Sequence, residues 1–181
     1  MYKTVVFDLD GTLLNTLTDL ADAGNRLCRK YGWPTHERQA YRYFVGNGIP
    51  KLVERLAPAD QRTPAVLEAA LADFKRDYGQ HLRDTTAPYP GIPEMLAKLK
   101  ANGVQLAVFS NKADALAKEV VKDYFGTQYF TIVRGQMTGV APKPAAEGTN
   151  ALLQALHADP ASTLYVGDSN VDVETAHNAN L

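Results

Sequence analysis

Asp8 and Asp10 stand one residue apart at the end of the apolar run Val5-Val6-Phe7 and are followed by Gly11-Thr12. Two carboxylates so placed can ligate a cation, attack an electrophile or carry a proton, and the pair alone does not separate these roles. Further polar groups follow later apolar runs: Ser110-Asn111 after 104–109, and Gly167-Asp168 after 163–166. Lys143 sits between Pro142 and Pro144, ahead of a helical pattern. Acids gathered this way need a counter-charge, because unit charges about 4 Å apart repel by about 4 kcal/mol at an effective dielectric of 20. A divalent cation meets the need, and an oxygen donor set suits Mg²⁺, which completes its shell with water and substrate phosphate. Thr12, Ser110, Lys143 and the amides of the turn 9–11 would hold the oxygens of a phosphoryl group. One carboxylate would then attack phosphorus in line while its neighbour moves protons, giving an aspartyl-phosphate. Asp8 still belongs to the strand. Asp10 lies beyond it in the turn, where its side chain can reach a leaving group.

These residues converge only if the elements beneath them form a parallel sheet. Val5, Val6 and Phe7 are uninterrupted β-branched and aromatic residues, as in a strand covered on both faces. The pattern from 85 onward alternates: helix 92–100, strand 104–109, helix 114–124, strand 129–133, helix 145–156, strand 163–166. This order predicts an α/β fold with a doubly wound parallel sheet, whose ligands gather at the carboxyl ends of its strands. Residues 16–84 carry no strand pattern. Helical spacing over 17–31 stops at Gly32 and Pro34, shorter helices are expected over 37–45 and 49–56 around the turn Gly46-Asn47-Gly48, and a long one starts at Pro64. The predicted organisation is a core of residues 1–15 and 85–181 with an inserted helical unit, 16–84, built as four helices.

Composition narrows the partners. The 181 residues are 45% apolar, enough for a substantial core, and the 19 basic and 20 acidic residues nearly cancel. No run of Lys and Arg exceeds a pair, which argues against nucleic acid and anionic membranes and leaves a small molecule as the expected ligand. The start enters a strand pattern directly and no apolar run approaches a membrane span, so a cytoplasmic location is expected. Cys28 is the single cysteine and lies in a helical pattern, the placing of a buried apolar residue. His36, His81, His157 and His177 share no motif spacing, so no zinc set competes with the acids.

The ordered set Asp8-Leu9-Asp10-Gly11-Thr12, Ser110-Asn111, Lys143 between prolines, and Gly167-Asp168-Ser169 with Asp172 resembles the four motifs of the haloacid dehalogenase-like hydrolase superfamily, most closely its phosphoglycolate phosphatase-like branch. The resemblance implies Asp8 as nucleophile and metal ligand, and Asp10 as acid and base that also binds metal through its backbone carbonyl. It implies phosphate contacts from Thr12, Ser110, Asn111 and Lys143, Asp168 as the remaining metal ligand, and Asp172 as support behind it. Residues 16–84 then correspond to the family's cap. Gly46-Asn47-Gly48 resembles its substrate loop, making Arg42, Asn47 and the neighbouring Tyr43 and Lys51 candidates for substrate contact. An aspartate at position 10 resembles phosphatases and phosphomutases rather than dehalogenases. The expected activity is Mg²⁺-dependent hydrolysis of a small phosphate ester, 2-phosphoglycolate first, by a monomer or homodimer. The alternatives are a sugar phosphomutase and an inactive phosphate-binding module. Two departures stand out: Asn180 replaces a usual glycine, and the family pattern continues past Leu181 through at least one more strand, so a truncated core edge is expected.

Overall fold

The computed structural model describes residues 2–181. The chain divides into two compact units, one of Met1–Leu14 with Pro88–Leu181 and one of Asn15–Ala87.

In the first unit, β1 (Thr4–Phe7) is buried along its whole length, which requires cover on both faces of the sheet. It pairs in parallel with β4 (Gln105–Ala113) on one side and β6 (Thr163–Val166) on the other, and β5 (Phe130–Gln136) pairs in parallel with the outer side of β4. The order β5-β4-β1-β6 means that the chain steps away from β1 in one direction and returns on its other flank. The carboxyl end of β1 therefore lies at the switch point of the sheet, where α/β folds leave a crevice. The crossovers are α5 (Ile92–Ala101), α6 (Asp114–Phe125) and α7 (Ala146–Leu156), and α8 (Asn170–Asn178) follows β6. Leu152, Leu153 and Leu156 of α7 pack on Val6, Ala107 and Phe109 of the sheet. Asn180 adopts φ 58°, the left-handed conformation that asparagine tolerates best after glycine.

The alternating pattern read from the sequence is present, with two strands longer than expected. β4 continues past Phe109 to Ala113, and β5 continues to Gln136, because Ala113 and Gln136 still pair. The two chains can approach there because position 135 is glycine: a Cβ would collide with the Lys112 carbonyl and the Asp114 backbone. Ser110 and Asn111 thus belong to the strand rather than to a loop after it.

The second unit contains α1 (Leu17–Tyr31), α2 (Tyr41–Phe44), α3 (Ile49–Leu56) and α4 (Pro64–Gln80). The expected helix over 37–45 is reduced to a 3-10 turn, Arg38–Ala40, and the single turn of α2, since Val45 is extended and the glycine-rich turn follows at once. Two long helices, α1 and α4, and the two-turn α3 therefore carry this unit, with α2 contributing a single turn. Asp19 of α1 is buried, and its carboxylate accepts hydrogen bonds from the amides and hydroxyls of both Thr85 and Thr86, the amides at 2.9 Å. Two short strands, β2 (Leu14–Asn15) and β3 (Ala87–Pro88), pair where the chain leaves and re-enters the sheet-bearing unit.

Candidate active site

β1 carries Asp8 into the crevice, and β6 fixes it there: the Asp8 amide donates to the Val166 carbonyl at 2.8 Å. The next residues fold back on themselves, with the amides of Leu13 and Leu14 both donating to the Leu9 carbonyl at 3.0 Å. Gly11 allows this reversal at φ 87°, and a side chain there would also strike the Asp168 carboxylate. Thr12 Oγ1 donates to Asp168 Oδ1 at 3.1 Å, tying the first motif to the loop after β6.

Asp8, Asp168 and Asp172 each offer a carboxylate oxygen, all within 4.8 Å of one another. Between them lies Lys143, only 3% exposed, with Nζ 2.9 Å from Asp8 Oδ1 and 2.7 Å from Asp172 Oδ1. The Asp172 contact is a hydrogen bond, whereas Asp8 Oδ1 faces the ammonium at ion-pair distance without hydrogen-bond geometry and has no other partner. Asp172 is fully engaged: its Oδ2 accepts from the amide and hydroxyl of Ser169, closing a capping box at the start of α8. That leaves Asp8 and Asp168 with oxygen capacity for a cation. The buried, hydrogen-bond-free Oδ1 and the all-oxygen donor set fit a hard divalent ion.

Burial pushes the Asp8 carboxyl up to about 6, opposed by the Lys143 charge. Asp168, although solvent-exposed, is raised too, chiefly by partial desolvation and against the Thr12 hydrogen bond. Burial works against the Lys143 ammonium, but Asp8, Tyr165 and Asp172 outweigh it and hold the group above the ordinary lysine range.

Of the residues singled out in the sequence, Asp8, Thr12, Lys143, Asp168 and Asp172 are joined by these contacts. Ser110, at the same end of β4, is buried and accepts from the Lys112 amide. The Asn111 side chain is engaged with Lys143, its Nδ2 donating to the Lys143 carbonyl at 3.2 Å and its Oδ1 accepting from the Lys143 amide at 2.8 Å. Asp10 stands outside the carboxylate cluster, with Lys112 Nζ donating to its Oδ1 at 3.1 Å. Arg42 and Asn47 lie in the helical unit, where Arg55 donates to Asn47 Oδ1 at 2.9 Å and to the Phe44 carbonyl at 2.8 Å, bracing the turn. Two participants escape sequence reasoning. Lys112 is 5% exposed and pairs with Asp10, and its place directly after Ser110-Asn111 is the one signal for it. Tyr165 accepts from Lys143 Nζ at 3.1 Å, and in sequence it is simply an aromatic in a strand.

The family model for haloacid dehalogenase-like hydrolases matches residues 5–181. The chain is a haloacid dehalogenase-like hydrolase. It is 32% identical to the phosphoglycolate phosphatase of Thiobacillus denitrificans over 98% of this chain and 79% of that one. With the phosphoglycolate phosphatase of Neisseria meningitidis serogroup A it shares 33% identity over 96% and 75% of the two chains. A crystal structure from Lactobacillus delbrueckii subsp. bulgaricus superimposes with a TM-score of 0.92 at 29% identity, covering 98% of this chain and 83% of that one. The same fold recurs at 22% identity in CbbY from Rhodobacter sphaeroides, with a TM-score of 0.81 over 100% and 84% of the chains. Family and relatives make this hydrolase a phosphoric monoester hydrolase, and phosphatases of the family use a divalent metal. Among the described residues no helix is long and apolar enough to cross a membrane.

Proposed function

We propose that this hydrolase releases phosphate from a small phosphorylated metabolite, 2-phosphoglycolate first, through an aspartyl-phosphate on Asp8 with Mg²⁺ as the cation. The observation that carries the reading is Asp8 itself, buried at the end of β1 with Oδ1 unbonded beside the Lys143 ammonium. Asp8, Asp168 and the Asp10 backbone carbonyl would hold Mg²⁺, which when bound neutralises charge on the phosphoryl oxygens. Thr12, Ser110 and Lys143 hold those oxygens, and Asn111 contributes by fixing the Lys143 backbone. Asp8 attacks phosphorus as the bond to the ester oxygen breaks, and Asp10 gives that oxygen its proton. Asp10 then takes a proton from the water that attacks the aspartyl-phosphate, which frees Asp8 and releases phosphate. Asp172 keeps Lys143 in place. The unit Asn15–Ala87 serves as the cap, with Arg42 and Asn47 as contacts to the non-reacting part of the substrate.

A phosphate-release screen over small phosphate esters, with and without Mg²⁺ and with Asp8→Asn as control, tests this. Release from phosphoglycolate that needs both Mg²⁺ and Asp8 is the expected result. Silence with every ester overturns the reading, and release from other esters but not phosphoglycolate overturns its substrate.

A further inference from the structure

Lys143 Nζ has three protons, and three oxygens face it: Asp172 Oδ1 at 2.7 Å, Asp8 Oδ1 at 2.9 Å and the Tyr165 hydroxyl at 3.1 Å. The two carboxylates are already accounted for by charge, whereas the phenol is neutral, and burial first of all keeps it protonated by raising its pKa. A phenol has one proton to give. Tyr165 donates it to the Phe109 carbonyl at 3.2 Å, one residue before Ser110, which leaves its lone pairs for the ammonium. Asp172 Oδ1 stands farther off, at 3.5 Å. Tyr165 therefore links β6, β4 and the loop of Lys143 through a single oxygen, and its strand position is set by pairing with Val6.

We propose that Tyr165 is a positioning residue for Lys143: its hydroxyl, anchored on the Phe109 carbonyl, holds the ammonium between Asp8 and Asp172 and aims its charge at the phosphoryl group. This rests on the reading of Lys143 as a phosphate contact. A lysine side chain has four flexible torsions and a strong attraction to Asp172, which is itself fixed by Ser169. Without a neutral third acceptor, the ammonium is free to settle onto Asp172 and away from the nucleophile. Tyrosine supplies that acceptor without spending any of the positive charge.

The test is a double-mutant cycle of Tyr165→Phe and Lys143→Met, read on the Kd for inorganic phosphate in the presence of Mg²⁺ by calorimetry and on kcat/KM for ester hydrolysis. Tyr165→Phe is expected to weaken phosphate binding about tenfold, the worth of one hydrogen bond to a charged group. In the Lys143→Met background the same change should cost less than about twofold, because the residue it acts through is gone. Thermal unfolding of each variant separates this from stability, since a purely structural tyrosine lowers the melting temperature without changing the Kd of the folded protein. Unchanged phosphate binding in Tyr165→Phe, or an equal loss in both backgrounds, overturns the proposal. The phosphate titration stands apart from turnover, so a wild-type protein that binds phosphate but hydrolyses no ester refutes the proposed function and leaves this inference to be judged by the cycle.

Discussion

Replacing Lys143 by methionine removes the positive charge from among three carboxylates while nearly preserving shape. At 2.9 and 2.7 Å, the attractions to Asp8 and Asp172 are each about 6 kcal/mol at an effective dielectric of 20, before the cost of burying the ammonium is set against them. Breaking a buried pair by deleting one partner typically costs about 3–5 kcal/mol, because the other charge stays buried and uncompensated. For a chain of this length that is a fall of about 6–20 °C in melting temperature. The assay is thermal unfolding by circular dichroism in EDTA at neutral pH, repeated with Mg²⁺. Magnesium should restore more stability to Lys143→Met than it adds to the wild type, since it replaces the missing charge. Acidification should help as well. Lys143 is what holds Asp8 down to about 6, so in the variant the carboxyl takes up its proton at a still higher pH and the repulsion is relieved from there downward. A variant that melts within about 2 °C of wild type in EDTA, or gains nothing extra from Mg²⁺, refutes the view that this ammonium compensates the cluster.

The raised pKa of Asp8 gives a second test. Its carboxyl titrates near 6 in the folded protein against 3.8 ordinarily, so the native state binds the extra proton between those values and loses stability as pH rises through them. Measured by urea unfolding in EDTA, Asp8→Asn should gain on the wild type from pH about 4 to about 6 and level off above; a constant difference contradicts this. Asp10→Asn should slow phosphate release by about 10²- to 10⁴-fold while changing KM little, and equal rates in mutant and wild type dismiss Asp10 as the proton carrier. Asp19→Ala strands two amides and two hydroxyls and should destabilise the helical unit by roughly 3 kcal/mol. Trp33, the chain's single tryptophan, is buried in that unit and reports the change by fluorescence; an unshifted transition speaks against it.

The sequence was most informative where function depends on a residue's place along a strand. The run Val5-Val6-Phe7 announces a buried strand, and the polar residues after three such runs meet at one edge because parallel strands all end there. Long-range partners were not legible. Lys112, followed by Ala113 and Asp114, looks like a surface lysine at a helix start, and it is buried only because β4 extends to pair with β5. Asn111 also braces the backbone of Lys143, a residue 32 positions away that its place in the sequence does not point to. Tyr165 gives no sign of its hydroxyl's role, since the oxygen it contacts lies 56 residues upstream. The shortening of α2 was hidden because helical spacing over nine residues does not register where the backbone turns extended.

The Asp19 contacts to Thr85 and Thr86 close a loop of 66 to 67 residues with one carboxylate. Seen as a polymer, the helical insert is a lasso whose neck is tied by its own first helix, so the host sheet experiences its two ends as a short loop. Closure entropy grows only logarithmically, by about 0.6 kcal/mol per doubling of length, and a tied neck removes even that from the host. A chain built this way can lengthen or shorten the lasso with little change in the closure cost at its neck.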